Sequence, residues 1–231
     1  WHIGGTCLLV ETDQGLVLVV SGLGLHDYLQ PSPMVRFFQL DFGIHTDPEN
    51  AAVRQIVRLG YSPQDVRHIV LTHLHFDHAG GLPDFPHAQV HVHRREYEAM
   101  QRPRRFIEWA YDRKDIQHQP SWVFYEQTDA EWLGFEAMRL PFSPEMYLVP
   151  LFGHTAGHCG VAVQDPDGWI FNCADALPTH AQFDLTPAWL NRLVLGTHVP
   201  RLQSWAAAHP EVRLLAGHMW KSFFDQQRRA G

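Results

Sequence analysis

The chain has 231 residues, 45% of them apolar and 19% charged, with eight Trp and fourteen Phe. That is the composition of a folded core and not of a disordered segment, and it is enough for one large domain or two small ones. A net charge of −7 argues against a general nucleic-acid binder, which would carry a basic face, and the longest apolar stretch, LVLVV, is cut off by Ser21 and Gly22, far short of a membrane span. The opening WHIGGTCLLVETDQG has an acidic residue and no basic n-region, so no secretory leader is expected there. Cys7, Cys159 and Cys173 are odd in number and form no CxxC, which favours a reducing, cytoplasmic setting over a disulfide framework.

In chain order, TCLLVET and GLVLVV flank the turn-like DQG and predict a hairpin. Residues 22–48, rich in Gly and Pro yet carrying Leu25, Tyr28, Met34, Phe37, Phe38 and Phe42, read as an irregular apolar loop suited to ordinary core or to a greasy substituent of a substrate. PENAAVRQIVRLG predicts a helix capped by Asp47, with Gly60 just past its end. VRHIVLT and AQVHVH read as strands, and RREYEAMQ as a helix. Residues 101–132 are polar, aromatic and arginine-rich, and read as a helical lid. Arg102, Arg104 and Arg105 there form either a solvated face or a dock for a carboxylate or phosphate, and Trp109, Tyr111, Trp122 and Phe124 either line the mouth or pack the lid. GFEAMRL, MYLVPL, CGVAVQD, GWIFNC and VRLLAG predict strands, while VPRLQSWAAAHP and KSFFDQQRRA predict helices. Strands with helices between them indicate a layered α/β domain, and no linker divides it.

Seventeen histidines are an unusual surplus, and no run of them looks like a tag. THLHFDHAGG puts His73, His75, Asp77 and His78 within six positions. In an extended segment residues i and i+2 face the same side, so His73 and His75 can bite one ion, while a turn into AGG can bring Asp77 and His78 to a second. Imidazole and carboxylate are the donors a zinc-type ion takes. Three later places offer more donors, each where an apolar strand runs into small residues: His154 and His158 in GHTAGH, Asp175 in ADA, and His218 in AGH. Singly each is weak, because a lone histidine is more often a hydrogen-bonding group than a ligand. Together with the first motif they describe a site along one sheet edge.

THLHFDHAGG, GHTAGH, ADA and AGH, in that order, resemble the metallo-β-lactamase superfamily, and the likeness runs from the first hairpin to His218. The resemblance implies a four-layer αββα sandwich, one domain over residues 1–231, with a dinuclear metal site at the sheet edge. Carried over motif by motif, His73, His75 and His154 would hold one ion. Asp77, His78 and His218 would hold the other, and Asp175 would bridge both. His158, which the family does not as a rule use as a ligand, would orient a ligand or contact substrate. Two such ions can share a water and lower its pKa to about 7, giving a hydroxide that attacks a carbonyl or phosphoryl centre, with Asp77 placed to take up a proton. Zinc suits this donor set best, and iron, manganese and cobalt are admitted.

Within the superfamily, HLHFDHAGG and REYEA are most similar to acylhomoserine lactonases, which act in quorum quenching. The expected activity is therefore the opening of a lactone or cleavage of a small ester, on a small-molecule substrate, with no nucleic-acid or membrane partner and a homodimer left open. Three departures bear on this. Pro178 stands where those lactonases commonly have a tyrosine, leaving His180 as a candidate substitute. Met219 follows His218 where Asp is common, and Ser21 replaces the Asp of a DTG motif. A β-lactamase of the commoner type would use Cys where this chain has Asp175. Phosphodiesterase and thioester hydrolase activities stay open, as does a persulfide dioxygenase with a single iron. A non-catalytic scaffold would show a gap in the ligand set, and none is visible.

Overall fold

The computed structural model describes residues 3–42, 44, 46–104, 106–177 and 198–220. A short strand β1 (Ile3–Gly5) precedes the expected hairpin of β2 (Leu8–Thr12) and β3 (Gly15–Val19). The stretch read as an irregular loop instead holds two helices, α1 (Leu25–Leu29) and α2 (Pro33–Phe42). Their start signals are local: Asp27 accepts from the Gly24 N–H at 3.0 Å, and Ser32 Oγ accepts from the Val35 N–H just after Pro33 opens α2. Asp47 does accept from the Glu49 N–H, but it caps a single 3-10 turn, Pro48–Asn50, ahead of α3 (Ala52–Arg58).

Strand β4 (Val66–Val70) leads into the histidine motif, whose second half is the one-turn helix α4 (Phe76–Ala79). β5 (Gln89–His93) and α5 (Arg94–Gln101) follow as expected. Residues 101–132 depart from the helical reading. They contain two 3-10 turns, Phe106–Ala110 and Arg113–Ile116, and then two strands, β6 (Ser121–Tyr125) and β7 (Ala130–Trp132). SWVFY is rich in the aromatic and β-branched residues that a pleated, half-buried surface prefers, and it pairs in parallel with β5. β8 (Phe135–Leu140), β9 (Met146–Pro150), β10 (Cys159–Asp165), β11 (Gly168–Asn172), helix α6 (His198–Ala208), β12 (Val212–Leu215) and β13 (His218–Trp220) complete the described chain. Pro178, His180 and the KSFFDQQRRA segment lie outside the described residues.

The strands form a five-stranded sheet in the order β2-β3-β4-β5-β6, a six-stranded sheet in the order β12-β11-β10-β9-β8-β7, and a β1-β13 pair. Both large sheets mix parallel and antiparallel pairs. Val17, Val19 and Val70 from the first face Met138, Leu148 and Val161 from the second, which makes the inner seam of a sandwich. The outer face of the five-stranded sheet is covered by Ile56 of α3 and Met100 of α5, and that of the six-stranded sheet by Leu202 and Trp205 of α6. Helix, sheet, sheet, helix is the expected four-layer αββα order. Because β9 and β11 both run antiparallel to β10, and β12 runs parallel to β11, the last residues of β9, β11 and β12 all reach the same edge. The Cys159 N–H donates to the Thr72 carbonyl at 2.9 Å and brings the end of β4 to that edge as well.

Within β5, His91 is 2% exposed and is paired through Nε2 to His68 Nδ1 at 3.0 Å and through Nδ1 to the Tyr125 hydroxyl at 2.9 Å. Burial, and secondarily His68, push its pKa down from 6.5 to about 3. Between those values the unfolded chain binds a proton that the folded chain refuses, so this contribution to stability is complete above 6.5 and is lost as the pH falls toward 3. The denaturation midpoint is therefore expected to fall more steeply between about pH 7.5 and about pH 5 in the wild type than in His91→Gln. Equal slopes in urea titrations would contradict this.

Candidate metal centre

Each predicted donor sits just beyond a strand that ends at the shared edge. His73 and His75 follow β4 in extended chain, and His75 is itself the residue before α4, which carries Asp77 and His78. The Ser21 N–H and hydroxyl both donate to the His78 carbonyl, at 2.9 and 3.1 Å, so the serine that replaces the family's aspartate anchors the motif helix. His154 follows β9, Asp175 follows β11, and His218 opens β13 after β12. At Ala174 the backbone takes a left-handed φ of 43°, strained for a residue with a Cβ, as the chain turns Asp175 toward the histidines. A Cβ on Gly217 would stand 2.1 Å from Asp175 Oδ1, so only glycine lets the carboxylate in. The Gly217 N–H is shared by the Ala174 and Leu177 carbonyls, at 3.1 and 3.2 Å, which joins the Asp175 and His218 loops.

The seven donors fall into two groups, each with its ligand atoms within 4.8 Å of one another: His73, His75, His154 and Asp175, and Asp77, His78 and His218. Asp175 lies between them with its oxygens divided. Oδ2 is 3.3 Å from His154 Nε2 and 3.9 Å from His73 Nε2, while Oδ1 is 3.4 Å from His78 Nε2 and 3.5 Å from His218 Nε2. Asp77 Oδ2 is 3.3 Å from His218 Nε2. Four of these five contacts match the roughly 2.9–3.5 Å between atoms that share an ion at about 2.0–2.2 Å. Among the described residues His73 Nε2, His78 Nε2 and Asp175 Oδ1 are buried with no hydrogen-bond partner, a costly state unless a cation takes them up. The donor set therefore fits divalent metal.

Electrostatics agree. Burial, followed by the neighbouring histidines, holds His73 and His75 well below the usual imidazole range, which leaves them neutral with lone pairs free to coordinate. For His218 burial opposes the charge, but Asp175 and Asp77 outweigh it and raise the pKa to about 9. Burial would raise Asp175, yet His78 and His218 draw it well below the carboxylate range. His158 is fully buried, and its Nε2 accepts from the Asp175 N–H at 3.2 Å. This contact ties His158 to the loop that carries Asp175.

The residue missed by sequence reasoning is Glu96. It lies in the quoted REYEA but no role was drawn from it, because nothing local marks a helix glutamate as buried. It is 0% exposed and accepts four hydrogen bonds: from Leu74 N–H (3.0 Å), Tyr111 OH (2.9 Å), Thr155 Oγ1 (2.6 Å) and Gly157 N–H (3.0 Å). Leu74 lies between His73 and His75, and Thr155 follows His154, so one carboxylate fastens both metal-facing loops to α5. Gly157 permits the approach, since a Cβ there would stand 2.1 Å from the Glu96 nitrogen.

Among the lid residues, Trp122 and Phe124 pack on Tyr97 of α5, and Trp109 stacks on Phe38 at 5.3 Å between ring centroids. Arg102 and Arg104 are exposed and border a cavity of ≈ 640 Å³ that also touches Ala156 in the GHTAGH loop; Arg105 lies outside the described residues. Cys173 is buried core, as expected, with its thiol donating to the Leu215 carbonyl.

Residues 3–218 match the family model of the metallo-beta-lactamase superfamily. The chain belongs to that superfamily. A probable metallo-hydrolase of Mycobacterium bovis is 42% identical over 172 residues, which cover 73% of this chain and 55% of the relative. The N-acyl homoserine lactonase AttM of Rhizobium radiobacter is 30% identical over 188 residues, covering 77% and 68%. The chain thus spans about half the length of the mycobacterial relative it matches. Among solved structures, an N-acyl homoserine lactone hydrolase holding N-hexanoyl-L-homoserine at its metal centre superposes with a TM-score of 0.64 at 24% identity, covering 92% of this chain and 80% of that one. A probable metal-dependent hydrolase from Staphylococcus aureus reaches a TM-score of 0.68 at 19% identity, covering 92% and 73%. At those identities the two structures speak for the fold alone.

Glu96→Ala leaves four buried donors unpaired, and the metal-free chain is expected to lose on the order of 3–5 kcal/mol together with metal affinity. Urea denaturation and metal content after dialysis measure the two effects. A Glu96→Ala variant as stable and as metal-replete as wild type would refute the bracing role.

Proposed function

We propose that the chain is the catalytic unit of a dinuclear metallohydrolase that opens a lactone or cleaves a small ester. His73, His75 and His154 hold one ion, Asp77, His78 and His218 hold the other, and Asp175 bridges. The observation that carries this reading is the division of the Asp175 oxygens, one toward His154 and His73 and the other toward His78 and His218. A carboxylate serving a single ion has no reason to present its two oxygens to separate histidine sets.

Held by these seven residues, two divalent ions would supply Lewis acidity toward a substrate oxygen and a water acidic enough to react near neutral pH. The chain's own groups do the rest. Asp77 keeps part of its surface open beside His218 and is placed to accept the proton released as water adds to the carbonyl. His158 fixes the Asp175 backbone, so the bridge does not swing as charge changes around it. Glu96 fixes the spacing of the two histidine loops, which sets where a carbonyl meets its nucleophile.

The substrate class rests on two supports. One is kinship with an N-acyl homoserine lactonase. The other is an apolar surface next to the motif: Phe38, half-buried, packs at 5.0 Å between centroids on the buried Phe76 that follows His75, and stacks on Trp109. Phe37 and Leu40 of α2 are exposed beyond it. Such a surface suits an acyl substituent on the reacting carbonyl. Zinc is the ion the donor chemistry favours.

Acylhomoserine lactones, aryl esters, phosphodiesters and β-lactams are to be assayed with and without chelator. Lactone or ester hydrolysis is expected, abolished by chelation and restored by zinc. His75→Ala and Asp175→Ala are each expected to lower turnover by at least about a hundredfold and to reduce metal content. Full activity in either variant, or turnover indifferent to chelation, would overturn the assignment.

A further inference from the structure

We propose that His26, Asp27 and Asp115 form a separate cation site, which takes one divalent ion of the zinc or manganese class beside the end of the motif helix. It shares no residue with the two groups around Asp175.

The three side chains come from different parts of the fold, with His26 and Asp27 on α1 and Asp115 in the 3-10 turn Arg113–Ile116. Their donor atoms converge: His26 Nε2 is 3.2 Å from Asp27 Oδ1 and 3.3 Å from Asp115 Oδ1. Those separations again match the roughly 2.9–3.5 Å between atoms sharing one ion at about 2.0–2.2 Å. Asp115 is 0% exposed, and among the described residues neither of its oxygens has a well-aligned hydrogen-bond partner, Oδ1 meeting His26 Nε2 only as an ion-pair contact; both ring nitrogens of His26 also lack a well-aligned partner. Asp27 is 1% exposed, and its other oxygen is committed to the Gly24 N–H. A buried carboxylate with no well-aligned donor on either oxygen is the feature a bound cation explains.

The charge count points the same way. Two buried carboxylates face one imidazole, so the cluster stays net negative even with His26 protonated. Asp84 and Asp112 add to that field, and Arg54 offsets part of it at Asp84. Burial raises Asp115 to about 7 and Asp27 to about 6, so a shared proton is the competing way to neutralise the group. One imidazole with two carboxylates suits a divalent transition ion, whereas calcium or magnesium would prefer oxygen throughout.

The position gives the site a structural consequence. A Cβ on Gly80 would stand 2.4 Å from Asp27 Oδ2, so the cluster lies against the residue that closes α4, two positions after His78. An ion there would tie α1 and the 113–116 turn together beside the end of the motif helix.

The test counts ions. Metal-stripped full chain is titrated with zinc alone and, separately, manganese alone, and tightly bound metal is measured after desalting for wild type, Asp115→Asn and His26→Gln. Each variant is expected to hold one equivalent less than wild type with either ion that fills the site. In an Asp175→Ala background, adding Asp115→Asn is expected to remove one further equivalent. Because the readout is a difference, it stands or falls independently of how many ions gather around Asp175. His26 is partly exposed, so His26→Gln keeps the test alive if Asp115→Asn misfolds. Wild-type metal content in a folded variant overturns the proposal and identifies the cluster as a proton-sharing ion group.

Discussion

One buried carboxylate makes the rest of this edge feasible. The metal-facing loops leave β4 in one sheet and β9 in the other, and loops of that kind carry backbone donors that the seam between sheets cannot satisfy. Glu96 answers both at once, one oxygen for Leu74 and Tyr111, the other for Thr155 and Gly157. Burial alone would raise its pKa, and the four donors oppose that rise. Its worth lies in geometry. Imidazoles that must meet at a fixed separation cannot be mounted on loops that move independently, and a shared buried anchor removes that freedom.

The same edge is short of space, and its small residues follow from that. Gly157 admits the helix backbone of Glu96, and Gly217 admits the carboxylate of Asp175. At Ala174 the chain accepts a left-handed φ to deliver Asp175. These positions carry little or no side chain and cost conformational freedom, yet the donor cluster could not close with larger side chains there. Unpaired lone pairs gather at this edge and in the His26 cluster, while the sheets on either side are densely apolar.

How much of this could be read from the chain alone depended on whether the signal was local. His73, His75, Asp77 and His78 announce themselves by spacing, and His154, Asp175 and His218 by following apolar strands into small residues. Glu96 could not be found that way, since its partners are 22, 15, 59 and 61 residues distant and a glutamate in RREYEAMQ has the look of a solvated face. Residues 22–48 misled for a different reason. Gly and Pro read as loop punctuation, but Pro33 is a helix opener and Asp27 a helix-start acceptor. In residues 101–132 the polar, arginine-rich first part masked SWVFY, whose strand character is fixed by pairing with β5 and not by its neighbours in sequence.

Burial of a carboxylate is not by itself a clue to its job; what its oxygens touch is. Glu96 and Asp115 are both 0% exposed. Glu96 meets four donors and is consumed by them, which makes it a brace. Asp115 has no well-aligned donor among the described residues and meets the His26 imidazole only as an ion-pair contact. The histidines divide the same way, since His158 spends Nε2 on the Asp175 backbone while His73 and His78 keep theirs unpaired in the cluster. Where such unpaired atoms also converge, among the described residues, they mark the Asp175 groups and the His26 cluster, both beside the same short helix. Lone pairs kept dry and unpaired in two converging clusters leave room for cations in both.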